Sequence, residues 1–284
     1  MHLLLRTASP EDTVAAGSIC HAAFKIIAER HGFPPDFPDP DAAIGLVGQL
    51  IPRADIYAVV AEINGRVAGS NFLWEDEVAG VGPITVDPAV QDAGVGRGLM
   101  QAVVERARAE SIAAVRLVQA AYHGRSLSLY TKLGFDAREP LSVMQGRPLS
   151  LTVEGFTVRT MTAADLEAAD DLCRRVHDHA RHAELHAAIE QSVASAVERQ
   201  GRITGYTTGI GFFGHSVGET TEDLQALIGA APLFPGPGFL VPTRDALLMR
   251  WCLNHGLHIV QPMTLMTMGP YREPRGAFLP SVLY

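Results

Sequence analysis

The sequence predicts an α/β (α+β) protein made of two copies of one domain, each a mixed, mostly antiparallel sheet with flanking helices. Three observations carry this expectation. Residues 6–20, RTASPEDTVAAGSIC, and residues 159–173, RTMTAADLEAADDLC, share Arg, Thr, Asp, two Ala and Cys at the same offsets, which is the signature of an internal repeat. A second echo follows in the same order, GRVAGS at 65–70 and GRITGY at 201–206. Finally, hairpins followed by a strand–helix–strand crossover indicate a mixed sheet with helices on both faces. The chain has 284 residues, room for two domains of about 100–150 residues. The joint is expected near Arg147–Gly155, giving domains over 1–147 and 156–284.

In the first copy an extended apolar run, residues 2–6, meets a polar turn. Ser9 with Asp12 three residues on offers an N-cap for an amphipathic helix over 11–31, as Thr162 with Asp165 does in the second copy. A loop rich in Pro and Asp spans 31–41 and leads to a short helix over 41–51. Strands at 56–62 and 67–74 flank the tight turn at Gly65, the usual hairpin chemistry. A third apolar strand covers Val81–Val86, and a helix begins after Gly96 and runs to about Glu110. The strand Ala114–Gln119, the helix Ser126–Leu133 and a last strand near 141–145 complete the copy.

Composition narrows the function. Apolar residues make up 47% and charged ones 19%, enough for a substantial core. The net charge of −8, from 31 acidic against 23 basic residues, disfavours nucleic acid and tilts towards a cationic amine as partner. There is no apolar run of about 18 residues to cross a membrane. The opening MHLLLR is too short for a signal peptide, so a cytoplasmic protein is expected. Cys20, Cys173 and Cys252 form no C-x-x-C pair, against a disulfide framework or a zinc ribbon.

The most informative segment is Ile84-Thr85-Val86-Asp87-Pro88, followed by Gln91-Asp92-Ala93-Gly94-Val95-Gly96-Arg97. A β-branched strand runs through a Pro turn into glycines and then a helix with Leu99, Met100, Val103 and Val104 on its inner face. Glycines let successive N–H groups approach a ligand closely. The helix start adds unpaired N–H groups and the positive end of its dipole, which suits a phosphate. A P-loop is excluded because its Lys is absent, and the Rossmann fingerprint is only half matched. From the glycines alone, an ordinary strand–helix turn remains an equal alternative.

Gln91–Gly96 resembles the Q/R-x-x-G-x-G/A loop of the GNAT superfamily of acyl-CoA-dependent N-acyltransferases. Val86-Asp87-Pro88 lies upstream at the family spacing, and Leu129-Tyr130-Thr131-Lys132-Leu133-Gly134-Phe135 resembles the family's late helix. The resemblance covers residues 2–147. It implies a parallel strand pair, Ile84–Val86 and Ala114–Gln119, splayed apart to admit acetyl-CoA. It further implies a pyrophosphate on backbone N–H groups from Gln91 through Asp92, Ala93, Gly94, Val95 and Gly96 to Arg97. The pantetheine arm is then expected against Ile84, Thr85 and Val86. Tyr130 is implied as the general acid that protonates the leaving thiolate, and the competing reading makes it a core residue packing with Leu127 and Leu133. Many members carry Asn where this chain has His123, whose ring can still donate a hydrogen bond; Ser126, on the same helix, joins it among the cofactor-binding residues.

The strand Glu that some members use as base is replaced by Gly80. Glu75, Asp76 and Glu77 lie upstream and are as readily a solvated turn. A terminal carboxylate serves as base in some tandem members, which makes Tyr284 a second candidate. Asp36, Asp39 and Asp41 in the Pro-rich loop are available to a cationic acceptor, or simply decorate a surface loop. In the second copy, Pro242 set on Pro88 and Leu248-Met249 on Leu99-Met100 leave no glycine loop, so this domain is expected to be degenerate. His179, His182 and His186 would share one helix face, but without H-E-x-x-H no metal is expected. The expected reaction is acetyl transfer from acetyl-CoA to a primary amine of a small molecule or peptide, by a monomer or a homodimer. The rival is a non-catalytic acyl-CoA-binding regulatory or assembly protein.

Overall fold

A computed structural model describes residues 3–91 and 93–283. They form two compact units: unit 1 runs to Asp136 and includes Met266–Gly269 and Leu283, and unit 2 comprises Ala137–Leu265 and Pro270–Val282.

Unit 1 opens with β1 (Leu3–Thr7), a 3-10 turn at Pro10–Asp12, α1 (Thr13–Arg30) and α2 (Pro40–Leu50). The antiparallel hairpin β2 (Ile56–Ile63) and β3 (Arg66–Trp74) follows. Then come β4 (Ala79–Val81), β5 (Thr85–Val86), α3 (Val95–Ala109), β6 (Val115–Ala120) and α4 (Gly124–Lys132). Strand order is β1-β2-β3-β4-β6, with β4 and β6 parallel and β5 paired to β3. Alternation along β2 divides the core, as a period of two requires. Ile56 and Ala58 pack with Ala16, Cys20 and Val47 under α1 and α2. Val59, Ala61 and Ile63 join Leu99, Val103, Leu117 and Tyr130 under α3 and α4.

Unit 2 takes β7 (Asp136–Gln145) from Ala137 onward, then β8 (Thr157–Thr160), a 3-10 turn at Ala163–Asp165, α5 (Leu166–His177) and α6 (His182–Glu190). The hairpin β9 (Ser195–Arg199) and β10 (Arg202–Thr207) leads to β11 (Ser216–Gly218) and α7 (Thr221–Ala230). β12 (Phe239–Pro242), α8 (Ala246–Asn254), β13 (His258–Met268) and β14 (Ala277–Leu279) complete the chain, and β13 gives Met266–Met268 to unit 1. One group of strands is ordered β14-β11-β10-β9-β8, and β7 pairs antiparallel with β12.

The repeat seen in the sequence is a repeat of geometry. Arg6 donates to both carboxylate oxygens of Asp12, at 2.7 and 2.8 Å, and to Glu62. Arg159 does the same to Asp165, at 2.8 and 2.7 Å, and to Glu198. Each Asp also accepts from the backbone N–H of its partner, Ser9 or Thr162, at 2.8 Å, closing a capping box. Both hairpin turns place a non-glycine and a glycine at positive φ, Asn64-Gly65 and Gln200-Gly201, the pair that suits a two-residue loop.

Several expectations need correction. The units divide at Asp136/Ala137, ahead of the expected joint, because the strand read as the end of the first domain makes its antiparallel ladder with β12. The strand expected over Val81–Val86 is broken: Pro83 has no N–H for a ladder, and the chain resumes pairing at Thr85 with a different neighbour, β3. In the second copy the order β11, α7, β12, α8 mirrors β4/β5, α3, β6, α4. The counterpart of α3 is therefore α7, and the alignment of Pro242 with Pro88 is displaced by one strand–helix unit. The single helix expected through His177–His186 ends at Asp178, which is left-handed at φ 72°, a conformation Asp tolerates better than most residues. Only His182 and His186 share a helix, and among the described residues no cluster of three or more His, Cys, Asp or Glu could hold a metal. No helix of the described chain is long and apolar enough to cross a membrane.

Candidate active site

The site begins where a ladder stops. β4 and β6 pair in parallel at Ala79↔Val115, Gly80↔Arg116 and Val81↔Leu117, after which β6 runs on to Ala120. The other strand leaves: Gly82 N–H donates to Phe72 O at 3.0 Å, and Thr85 and Val86 pair with Ser70 and Gly69. Gly69 permits this approach, since a Cβ there would stand 2.5 Å from the Thr85 carbonyl oxygen. A wedge thus opens between β5 and the end of β6, the splayed pair expected for Ile84–Val86 and Ala114–Gln119. Leu283, which belongs to unit 1, has a methyl 3.9 Å from where a Gly82 Cβ would lie; Tyr284 lies outside the described residues.

α3 points its start towards the wedge. Gly94 is its N-cap, left-handed at φ 80° and ψ 0°, and no side chain caps the helix there. The first intrahelical bond is Gly98 N–H to Gly94 O, 3.0 Å, so the N–H groups of Val95, Gly96 and Arg97 have no helical acceptor. A Cβ at Gly96 would sit 3.6 Å from both Leu129 and Val86, which brings α3, α4 and β5 to one point. Ala93 and Ile84 pack against the core beneath α3, Thr85 is buried with its hydroxyl 3.4 Å from that of Ser70, and Arg97 is exposed. Gln91 accepts from Arg125 across to α4 at 3.2 Å. Asp92 lies outside the described residues.

α4 carries Ser126 and Tyr130, with His123 at its N-cap. Tyr130 is 6% exposed, and burial pushes its phenol up to about 12, opposed only by a hydrogen bond from Ser126 one helical turn earlier. Ser126 Oγ lies 2.8 Å from His123 Nδ1. Burial, then the positive neighbours His31, Arg125 and Arg30, hold His123 below the usual histidine value. Tyr130 packs with Leu127 and Leu133 as the structural reading had it, its ring set edge-on to Phe135 at 6.3 Å. Packing and chemistry are compatible, because one end of a phenol is apolar and the other is not.

One residue of the site was missed. Gln119 follows Leu117 on the inner face of β6, past the end of the ladder. It is 5% exposed, and among the described residues neither Nε2 nor Oε1 has a hydrogen-bond partner. A buried amide left unpaired costs about 1–3 kcal/mol, so it marks a place where a polar ligand is wanted. The signal was present as a polar residue in an inward position of an apolar strand.

The proposed acids are sorted by geometry. Glu75 is held by Arg106 of α3 at 2.5 and 3.1 Å, and Asp76 accepts from the Glu77 N–H at 2.7 Å. All three precede the start of β4, whereas the wedge opens past its end. In the Pro-rich loop Asp39 caps α2 through Ala42 N–H at 2.9 Å, and Asp41 is exposed in the first turn of that helix. The loop itself reaches the end of β6: Phe33 stacks on Tyr122 at 4.3 Å, with His31 beside it at 5.2 Å. Burial, then the nearby charge of Asp36, raises the Tyr122 phenol to about 12.

The second copy differs at both of the corresponding positions. The start of α7 is filled by its own carboxylate: Asp223, fully buried, accepts from Thr220 N–H at 2.8 Å and from the Thr220 hydroxyl at 3.1 Å. At the end of α8, Leu257 N–H bonds Cys252 O at 3.1 Å just as Phe135 N–H bonds Tyr130 O at 3.0 Å. The residue in the place of the phenol is therefore Cys252, buried, its thiol pushed up to about 12 by burial.

Residues 24–135 match the model of the acetyltransferase (GNAT) family. An IAA acetyltransferase of Azospirillum brasilense is 29% identical over 149 residues, 51% of this chain and 97% of that protein. A solved structure from Pyrococcus horikoshii superposes with a TM-score of 0.74 at 16% identity, over 97% of this chain and 94% of that one. A tandem GNAT protein of the clavulanic acid biosynthesis pathway superposes with a TM-score of 0.56 at 15% identity, over 95% of this chain and 100% of that one. The match to the acetyltransferase (GNAT) family thus spans residues 24–135, and nearly the whole length of the chain has a fold similar to that of a tandem GNAT protein.

Proposed function

We propose that unit 1 transfers an acetyl group from acetyl-CoA to a primary amine, with Tyr130 as general acid. The observation that carries this reading is the parallel ladder opening at Val81↔Leu117 between the uncapped start of α3 and Tyr130. The N–H groups of Val95–Arg97, which have no helical acceptor, and the Arg97 side chain suit a pyrophosphate. The edge of β6 beyond Leu117, on the side that β4 has left, and the Gln119 amide suit the amide groups of a pantetheine arm. The unsatisfied Gln119 is the test of fit, since the polar partner it lacks is the kind that arm offers.

In this reading the amine nitrogen attacks the thioester carbonyl, the C–N bond forms, and the C–S bond breaks as Tyr130 delivers its proton to sulfur. A phenol raised to about 12 is protonated throughout the physiological range. A thiol ordinarily titrates near 8.5, and the burial that raises Tyr130 raises a leaving thiolate beside it, so the proton transfer is not left uphill by the full difference. The stack of Phe33 and His31 on Tyr122, with Asp36 near it, forms the wall against which the acceptor amine lies. Unit 2 offers no second cofactor position, because Asp223 is engaged in the capping box of α7 and Cys252 stands in place of the phenol.

The test is thiol release from acetyl-CoA across a panel of amines, with Tyr130→Phe. Turnover is expected to fall by about 10²–10⁴ while calorimetric binding of acetyl-CoA persists. Undiminished turnover in Tyr130→Phe overturns the general-acid assignment. Binding without release from any amine in the wild type would favour the regulatory protein.

A further inference from the structure

We infer that the groove between the end of β7 and the turn after α8 is a binding site for a small organic phosphate, held by Arg147, His255 and His258. The site lies wholly in unit 2 and does not depend on the acetyl-transfer reading above.

The groove measures about 740 Å³, within the range of about 300–1,000 Å³ usual for small-molecule sites. Both of its walls are fixed. Where β7 ends, the Gln145 amide donates to Phe234 O at 3.1 Å and to Gly236 O at 3.0 Å, and its oxygen accepts from Gly146 N–H at 2.8 Å. That amide is engaged with backbone and sets the course of the segment after it, which the sequence marks as a joint. A Cβ at Gly146 would stand 2.6 Å from a Leu257 methyl and 3.3 Å from the Leu257 Cα, so glycine lets the two walls approach at the base. Gly256, left-handed at φ 85°, turns the chain from α8 into β13, with His255 before the turn and His258 after it. Leu149, on the opposite wall, is anchored against the core beneath.

The lining carries three basic groups and, among the described residues, no acid, in a chain whose net charge is −8. A helix C-terminus ordinarily repels an anion, but the last carbonyls of α8 are taken. Trp251 O accepts from the His255 backbone N–H at 3.1 Å and lies 2.7 Å from ring Nδ1. Cys252 O accepts from Leu257 N–H at 3.1 Å, and Leu253 O from Gly256 N–H at 3.2 Å. The His255 ring also lies against Trp251, 4.4 Å between centroids. A carbonyl only accepts, so Nδ1 carries the proton there, and Nε2 becomes a donor when the ring is charged. Arg147 adds a planar fork that suits two oxygens of one phosphate. Three cationic groups match a dianionic phosphomonoester better than a carboxylate, and Pro148 and Leu149 offer an apolar side to its organic part. Arg147, His255 and His258 are the charged and titratable groups that line the groove, one from each segment that forms it.

Phenyl phosphate is the probe, added to the full chain with CoA in excess to occupy the start of α3. Calorimetry reads affinity, and imidazole nitrogen NMR reads location, the resonances being assigned with His255→Gln and His258→Gln. The His255 and His258 rings are expected to shift on titration. Affinity should fall about tenfold or more in Arg147→Gln, as a charge-assisted pair is lost. It should rise from about pH 8 to about 6.5 as the imidazoles become charged, while the phosphomonoester keeps most of its second charge. Arg250→Gln, at an exposed position of α8 outside the groove, should bind as the wild type does, with circular dichroism establishing that each variant is folded. Unmoved imidazoles at millimolar phenyl phosphate in the wild type would overturn the site, whatever the variants do. Equal weakening in Arg147→Gln and Arg250→Gln would reduce it to diffuse attraction and overturn it too. Benzoate binding as tightly as phenyl phosphate would overturn the phosphate assignment, and loss of the probe on adding CoA would place it at α3 instead.

Discussion

Alanine at Gly94 and alanine at Gly96 are expected to shift stability in opposite directions, although the two glycines are only two positions apart. Gly94 is left-handed at φ 80° and nothing lies within 4 Å of a Cβ built there. Its substitution therefore meets no steric clash and carries only the backbone cost of an L-residue in that region, about 1–2 kcal/mol. Gly96 is helical, and its Cβ would make ordinary contacts at 3.6 Å with Leu129 and Val86. There alanine relieves the helix of a glycine and is worth about 0.5–1 kcal/mol in favour. At about 2–4 °C per kcal/mol, Gly94→Ala should lower Tm by about 2–8 °C and Gly96→Ala should raise it by about 1–4 °C. Calorimetry with acetyl-CoA on the same samples should show a loss of affinity for Gly94→Ala, whose relaxation rotates the first N–H groups of α3, and little change for Gly96→Ala. Equal stability and affinity in the two variants would refute the view that the turn at Gly94 organises the site.

Gln119→Leu should raise the stability of the ligand-free protein by about 1–3 kcal/mol, because it removes an unpaired buried amide, and weaken acetyl-CoA binding; Tm with and without ligand reads both effects. Glu75→Ala should leave kcat intact and cost less than about 1 kcal/mol, since its partner Arg106 is partly exposed; a large loss of kcat would return Glu75 to the list of bases. The bond from Arg6 holds the Asp12 carboxyl below its usual value, and that from Arg159 holds Asp165 well below. A depressed carboxyl contributes stability that is present above its unfolded value of about 3.9 and is lost as pH falls through the folded one. Urea unfolding from about pH 5 down to about 2 should accordingly show a loss of stability in the wild type and a flatter profile in Asp12→Asn and Asp165→Asn.

What could be read from the chain was local. The Arg–Asp and N-cap offsets, the hairpin glycine turns and the Leu129–Phe135 helix end each fix their own backbone within a few residues, and each took its expected form among the described residues. Pairing partners were not legible, because alternation marks 141–145 as strand and is silent on whether the neighbour is β6 or β12. The register of the second copy was missed for a related reason. With its glycines gone, α7 announces itself only by the capping box Thr220 to Asp223, while Pro242 offered a more familiar landmark. The histidine face failed on one backbone angle, at Asp178, to which helical periodicity is blind. Gln119 was overlooked because its meaning depends on β6 outrunning β4, a property of two strands far apart in the chain.

The most direct measurement is calorimetric titration of acetyl-CoA into the wild type and into Gly94→Glu/Gly96→Glu, with Tm and circular dichroism to establish that the double variant is folded. One binding event per chain, abolished in the folded variant, is expected if the wedge beside α3 is the cofactor site and Asp223 has closed its counterpart. Two events per chain, or one that survives the double substitution, would contradict the assignment.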